Sequence, residues 1–133
     1  MKRPVVITGL GAVGSFGRGR AALAAALADG APRRENVARP AGLHGSRSAL
    51  TAALVGRLDL TALVPPAAAR RMSPPSRFAV AAGRLALDDA GLESSSLESA
   101  ATILATSFGP TSVTEKLLRQ TLVDSVKADK DLS

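Results

Sequence analysis

The 133-residue chain has no cysteine, no tryptophan, no tyrosine and a single histidine, His44. Without cysteine it holds no disulfide, no thiolate metal site and no thiol nucleophile. One histidine excludes a His-rich metal centre and a His–His acid/base pair; alone in a loop, it reads as a solvated side chain that titrates near neutrality. Aromatic residues make up 2%, with Phe16, Phe78 and Phe108 the whole set. That is too few for the stacking platforms by which proteins hold single-stranded nucleic acid. No apolar run approaches the roughly 18 residues of a membrane span. Neither nucleic acid nor a membrane is expected as a partner.

What is present is dominated by alanine, within an apolar share of 46%. Small side chains bury little area each, at about 25 cal/mol per Å². A core of them is marginal alone and works better as one layer of a larger body. The length suits one modest domain, which would bury of order two-thirds of its unfolded surface. The net charge is +6, yet the arginines are scattered as Arg18/Arg20, Arg33/Arg34, Arg70/Arg71, Arg77 and Arg84. They read first as solvated charge and second as a surface for an acidic protein. The start "MKRPVVITGLGAVG" and the alanines of 22–28 imitate a secretory signal. Arg18, Arg20 and four glycines interrupt the apolar stretch, so a cytoplasmic location is expected.

Periodicity predicts the order strand, helix, excursion, helix, strand, helix. "PVVITG" (4–9) is a β-branched run ended by glycine, a buried strand. Residues 18–29 read as a helix closed by Gly30, with Leu23 and Leu27 on its apolar face. The stretch 31–47 has no period. "ALTAALVGR" (49–57) suggests a short helix, and Leu58, Leu60, Leu63 and Val64 follow before Pro65-Pro66 end the segment. Residues 67–75 read as an irregular connection, and Ser73-Pro74-Pro75 as the start of the next helix. That helix, 76–91, carries Phe78, Ala82 and Leu85 at helical spacing. Ala79, Ala86 and Ala90 add a face small enough for close packing on a sheet, and Gly91 closes it. "ATILATSFG" (101–109) reads as a second buried strand. Residues 111–126 read as a third long helix with Val113, Leu117, Leu118, Leu122 and Val126 on one side, and "KADKDLS" as a frayed tail. Strands separated by helices imply an α/β layer with parallel pairing. Two strands do not make a sheet that is stable by itself.

Gly9, Gly11 and Gly14 satisfy G-x-G-x-x-G, the dinucleotide fingerprint. That fingerprint also needs a second strand about 20 residues on, ending in an acidic residue for the ribose. Glu35 stands near that distance, but Pro32, Arg33 and Arg34 precede it where the strand should be. No Gly-Lys-Ser/Thr follows the glycines, so there is no P-loop. The glycines read instead as permitting a tight turn and a close helix–strand approach. An anion at the helix N-terminus stays open.

Taken together, "VVITGLGAVGSFG", "ALAAALADG", "RRMSPPSRFAVAAGRLALDDAGL" and "TSFGP" resemble the N-terminal part of β-ketoacyl-acyl-carrier-protein synthases. These are the condensing enzymes of the thiolase-like superfamily. Val5 to Gly11 with Phe16 and Gly17 match the family's start. Arg71, Met72, Ser76, Arg77, Phe78 and Ala79 match its R-M-x-x-x-S-R-F-A signature, and "ALDDAGL" (86–92) looks like the end of the family's helix. The resemblance covers roughly residues 4–118 and implies a thiolase-like α/β/α layered fold, here incomplete over 1–133. It implies the acyltransferase chemistry of fatty acid or polyketide biosynthesis: a cysteine takes up an acyl group, and two histidines help decarboxylate a malonyl thioester. His44 matches neither histidine, and the cysteine lies beyond the matched region. We therefore expect no catalytic, cofactor-binding or metal-binding residue in this chain, and no activity from it alone. We expect a truncated or frameshifted reading frame, or an N-terminal piece of a larger polypeptide. Its implied partners are an acyl carrier protein and the remainder of the synthase or a dimer mate. Two alternatives stand beside this reading: a non-catalytic interaction or structural module that reuses the segment, and a nucleotide-binding α/β protein.

Overall fold

A computed structural model describes residues 4–30, 33–37, 50–93 and 97–131. Two short strands, β1 (Val13–Gly14) and β2 (Gly17–Arg18), form a hairpin with Val13 opposite Arg18 and Gly14 opposite Gly17. Gly17, at φ 112°, and Gly19, at φ 87°, take backbone conformations that only glycine adopts freely. Gly19 is also the N-cap of α1 (Arg20–Asp29). The expected closure is there: Gly30 is left-handed at φ 66°, and its N–H donates to the Ala26 carbonyl at 3.3 Å. The expected apolar face is only half realised, since Leu23 is half-buried while Leu27 is 73% exposed.

The excursion contains a strand, β3 (Glu35–Val37), which pairs antiparallel with β4 (Leu50–Ala52). This replaces the short helix expected over 49–57. Local periodicity sees only alanine and leucine there, whereas the ladder to Glu35–Val37 satisfies the backbone from a distance. Residues 38–49, His44 among them, lie outside the described residues. A single helical turn, α2 (Pro66–Ala69), replaces the irregular connection, with Pro66 in its first turn. Proline has no N–H to waste there, so the Pro-Pro pair opens a turn as well as ending the segment before it.

The clearest predicted helix is α3 (Pro74–Asp89). Ser73 caps it, its Oγ accepting the Ser76 N–H at 3.3 Å. At its far end Gly91 N–H donates to Asp88 O and Leu92 N–H to Leu87 O. With Gly91 at φ 65°, this is a Schellman closure. The last helix, α4 (Thr111–Asp131), runs five residues past the expected end and takes in most of the tail read as frayed.

The two buried strands expected at 4–9 and 101–109 are not formed. Their residues carry no ladder, and the sheets are two separate antiparallel pairs rather than one parallel layer. Val5, Ile7 and Ile103 are 98%, 83% and 95% exposed. A β-branched run becomes a strand only when a neighbour takes up its hydrogen bonds, and among the described residues none does. Mixed helix and strand agree with an α/β class; the parallel pairing is corrected.

The consequence is a very small core. Among the described residues only Val64 and Ala81 are buried apolar side chains.

Candidate functional site

The glycine motif is the feature that most needs placing, and it meets α3. A Cβ on Gly9 would stand 2.7 Å from the Ala90 nitrogen and closer still to the Ala86 carbonyl oxygen. A Cβ on Gly11 would lie 2.5 Å from the Ala86 nitrogen and closer to the Ala82 oxygen. Ala82, Ala86 and Ala90 follow one another at i, i+4, i+8, so they form a row of small residues along one side of α3. The close packing expected of these alanines is present, but against residues 9–11 rather than a sheet.

Asp89 fastens the same junction. One carboxylate oxygen accepts the Leu10 N–H at 3.0 Å, and the other pairs with the Arg20 guanidinium at 3.2 Å. This single side chain joins residues 9–11, the start of α1 and the end of α3. It was legible in the sequence only as a residue near the end of the predicted helix 76–91; its two partners were not.

This arrangement leaves no phosphate cradle. In a dinucleotide site the glycines turn directly into a helix whose free N–H groups face the pyrophosphate. Here the hairpin separates Gly11 from α1, Gly14 lies inside β1, and Gly9 and Gly11 are pressed on α3. Glu35 is on β3 and exposed, paired across the ladder with Ala52.

An open cleft of about 440 Å³ lies between residues 58–64 and the start of α3, floored by Leu58, Leu60, Val64 and Phe78. Arg70 and Arg77 are at its rim, and Arg77 Nε donates to the Met72 carbonyl at 3.2 Å. Asp59 forms a side-chain turn over the same cleft, accepting the Thr61 N–H at 2.9 Å and the Thr61 hydroxyl at 2.6 Å. The signal Asp-x-Thr was present in the sequence. These bonds, the hydroxyl's first, hold the Asp59 carboxyl below its usual 3.8, with the Arg18 guanidinium adding to them. Arg18 itself donates to the Asp59 carbonyl. Because the folded value is lowered, the turn contributes most above the ordinary aspartate range and is lost as pH falls through that lower value. An NMR titration of Asp59 should show this, and Thr61→Val should bring its midpoint back toward 3.8.

Among the described residues no three His, Asp or Glu side chains are grouped to hold a metal ion. No helix there is long and apolar enough to cross a membrane.

Comparison with known proteins agrees with the motifs. Residues 2–128 match the family model described as "Beta-ketoacyl synthase, N-terminal domain". No curated protein and no solved structure matches the chain. With nearly its whole length inside one family model, the chain belongs to the β-ketoacyl synthase N-terminal domain family, and supplies an N-terminal portion of a condensing enzyme.

Proposed function

We propose that this chain is the N-terminal portion of a β-ketoacyl-acyl-carrier-protein synthase of fatty acid or polyketide biosynthesis, in a thiolase-like layered fold, and that it is inactive by itself. The observation that carries this reading is the family match over residues 2–128 in a chain that contains no cysteine. The condensation needs a thiolate that displaces the carrier's thiol and keeps the acyl group. The malonyl thioester then loses CO2, and the resulting enolate attacks the acyl thioester and releases the thiolate. Loading and release of the acyl group pass through a thiolate this chain does not have, and decarboxylation through the two histidines that His44 does not match, so the cysteine-bearing part of the synthase has to supply them. An acidic acyl carrier protein is the proposed substrate carrier, with the net charge of +6 favouring its approach, and the proposed setting is the cytoplasm.

The test uses acyl and malonyl carrier-protein thioesters. The chain alone should give neither condensation nor CO2 above a buffer blank. Adding the cysteine-bearing remainder of a synthase as a separate polypeptide should raise that polypeptide's turnover. Turnover by the chain alone, or no gain on mixing, would overturn the reading.

A further inference from the structure

We propose that the cleft between residues 58–64 and the start of α3 binds a flat aromatic carboxylate. The inference does not rest on the condensing-enzyme reading. At about 440 Å³ the cleft has the size of a compact small-molecule site, roughly 300–1,000 Å³ in folded proteins. It stands where the chain is best packed: Val64, in its floor, is one of the two buried apolar side chains among the described residues. Leu58, Leu60 and Phe78 complete that floor, each half-buried. Phe78 contributes an aromatic ring to the lining, and Pro66 and Pro74 contribute saturated ones. An apolar floor with a ring in it gives a flat aromatic body both burial and a stacking partner.

The charge at the rim selects the head group. Arg77 is half-buried, and its Nε donates to the Met72 carbonyl at 3.2 Å. That bond orients the guanidinium and leaves its two terminal nitrogens without a partner among the described residues. A planar carboxylate takes both in parallel, and a neutral group has no such match. Arg70, exposed at the same rim, has no side-chain partner among the described residues and adds a second positive charge. Asp59 is the acidic residue of the lining. Its carboxylate is already taken by the Thr61 N–H and hydroxyl, with Arg18 beside it. The sign left for a ligand is positive, and it calls for an anion.

The other openings lack one half of this combination. The one of about 490 Å³ between the hairpin and α1 sets Asp29 against Arg33 in charge, and its helical wall is alanine. The one of about 200 Å³ between the start of α3 and residues 104–110 has no charged side chain in its lining.

The test titrates naphthoate into the 133-residue chain at low salt, followed by NMR. Val64 and Phe78 signals should shift to saturation with a dissociation constant of about 1 mM or tighter, within reach of a ligand of that size. Naphthylmethanol, the neutral counterpart, should bind about tenfold more weakly. Raising salt from about 0.05 to 0.5 M should weaken the carboxylate and leave the alcohol unchanged. Arg77→Gln should cost about tenfold in affinity. Because that change also removes the bond to Met72, Arg70→Gln is the second variant. It should weaken naphthoate by about threefold, with the signals of the free chain unmoved. Equal binding of acid and alcohol, shifts confined to α4, or unaltered affinity in both arginine variants would each overturn the proposal.

Discussion

Gly11→Val is expected to release residues 9–12 from α3 and to lower the hydrogen-exchange protection of the Leu10 amide about 100-fold, the equivalent of about 2.7 kcal/mol. The cause is steric and local. Even the first atom of a side chain at position 11 would enter the backbone of α3 at Ala82 and Ala86. Backbone cannot rotate aside as a side chain can, so the two segments have to separate. Once separated, the Leu10 N–H loses the Asp89 carboxylate that holds it at 3.0 Å. Gly9→Val should act in the same direction through Ala86 and Ala90. Gly30→Ala is the contrasting case. Nothing lies within contact of a Cβ there, so its cost is only that of a left-handed residue, about 1 kcal/mol, and Leu10 protection should not change. Equal losses at Leu10 from Gly11→Val and Gly30→Ala would show that general helix stability, not this contact, holds residues 9–12.

The second large effect concerns the chain as a whole. In dilute solution it is expected to melt without a sharp calorimetric transition. A cooperative domain of this length would absorb about 90 kcal/mol near 60 °C; less than half of that is expected here. Cooperativity comes from a shared core in which each side chain's burial depends on the others. Val64 and Ala81 do not amount to one. Helical circular dichroism should fall gradually instead, α4 first, because Val113, Leu117, Leu118, Leu122 and Val123 are each more than half exposed. The apolar dye ANS should bind at room temperature. A single sharp peak with an enthalpy near the full value would sink this expectation.

The two results together separate what is held from what is not. Residues 9–12, α1 and α3 are joined by steric fit and by Asp89. The runs 5–9 and 101–106 and the helix α4 have only solvent over most of their apolar side chains. The substitutions of the first experiment therefore report a local opening, and the calorimetry reports the absence of a common one.

Helices were the legible part of the fold. The start of α3 was written in Ser73-Pro74-Pro75, and the ends of α1 and α3 in Gly30 and Gly91. Capping is local chemistry within a few residues, so a linear pattern carries it. The β structure was not legible in the same way. "ALTAALVGR" scanned as helix yet Leu50–Ala52 joined Glu35–Val37, because a ladder is decided by a distant partner. "PVVITG" and "ATILATSFG" scanned as strands and have no ladder for the same reason, with the sign reversed.

Family membership, the absence of a thiol nucleophile and the placing of the helix caps were determined by the amino-acid sequence alone, since each depends on which residues are present and in what order. The role of Gly9 and Gly11 was decided only by the tertiary structure. In letters they fit a phosphate-binding turn; in space they lie where no Cβ has room beside Ala82, Ala86 and Ala90. The physical reason is that glycine is defined by what it lacks. Whether the empty space belongs to a ligand or to another piece of backbone depends on what the fold brings alongside it.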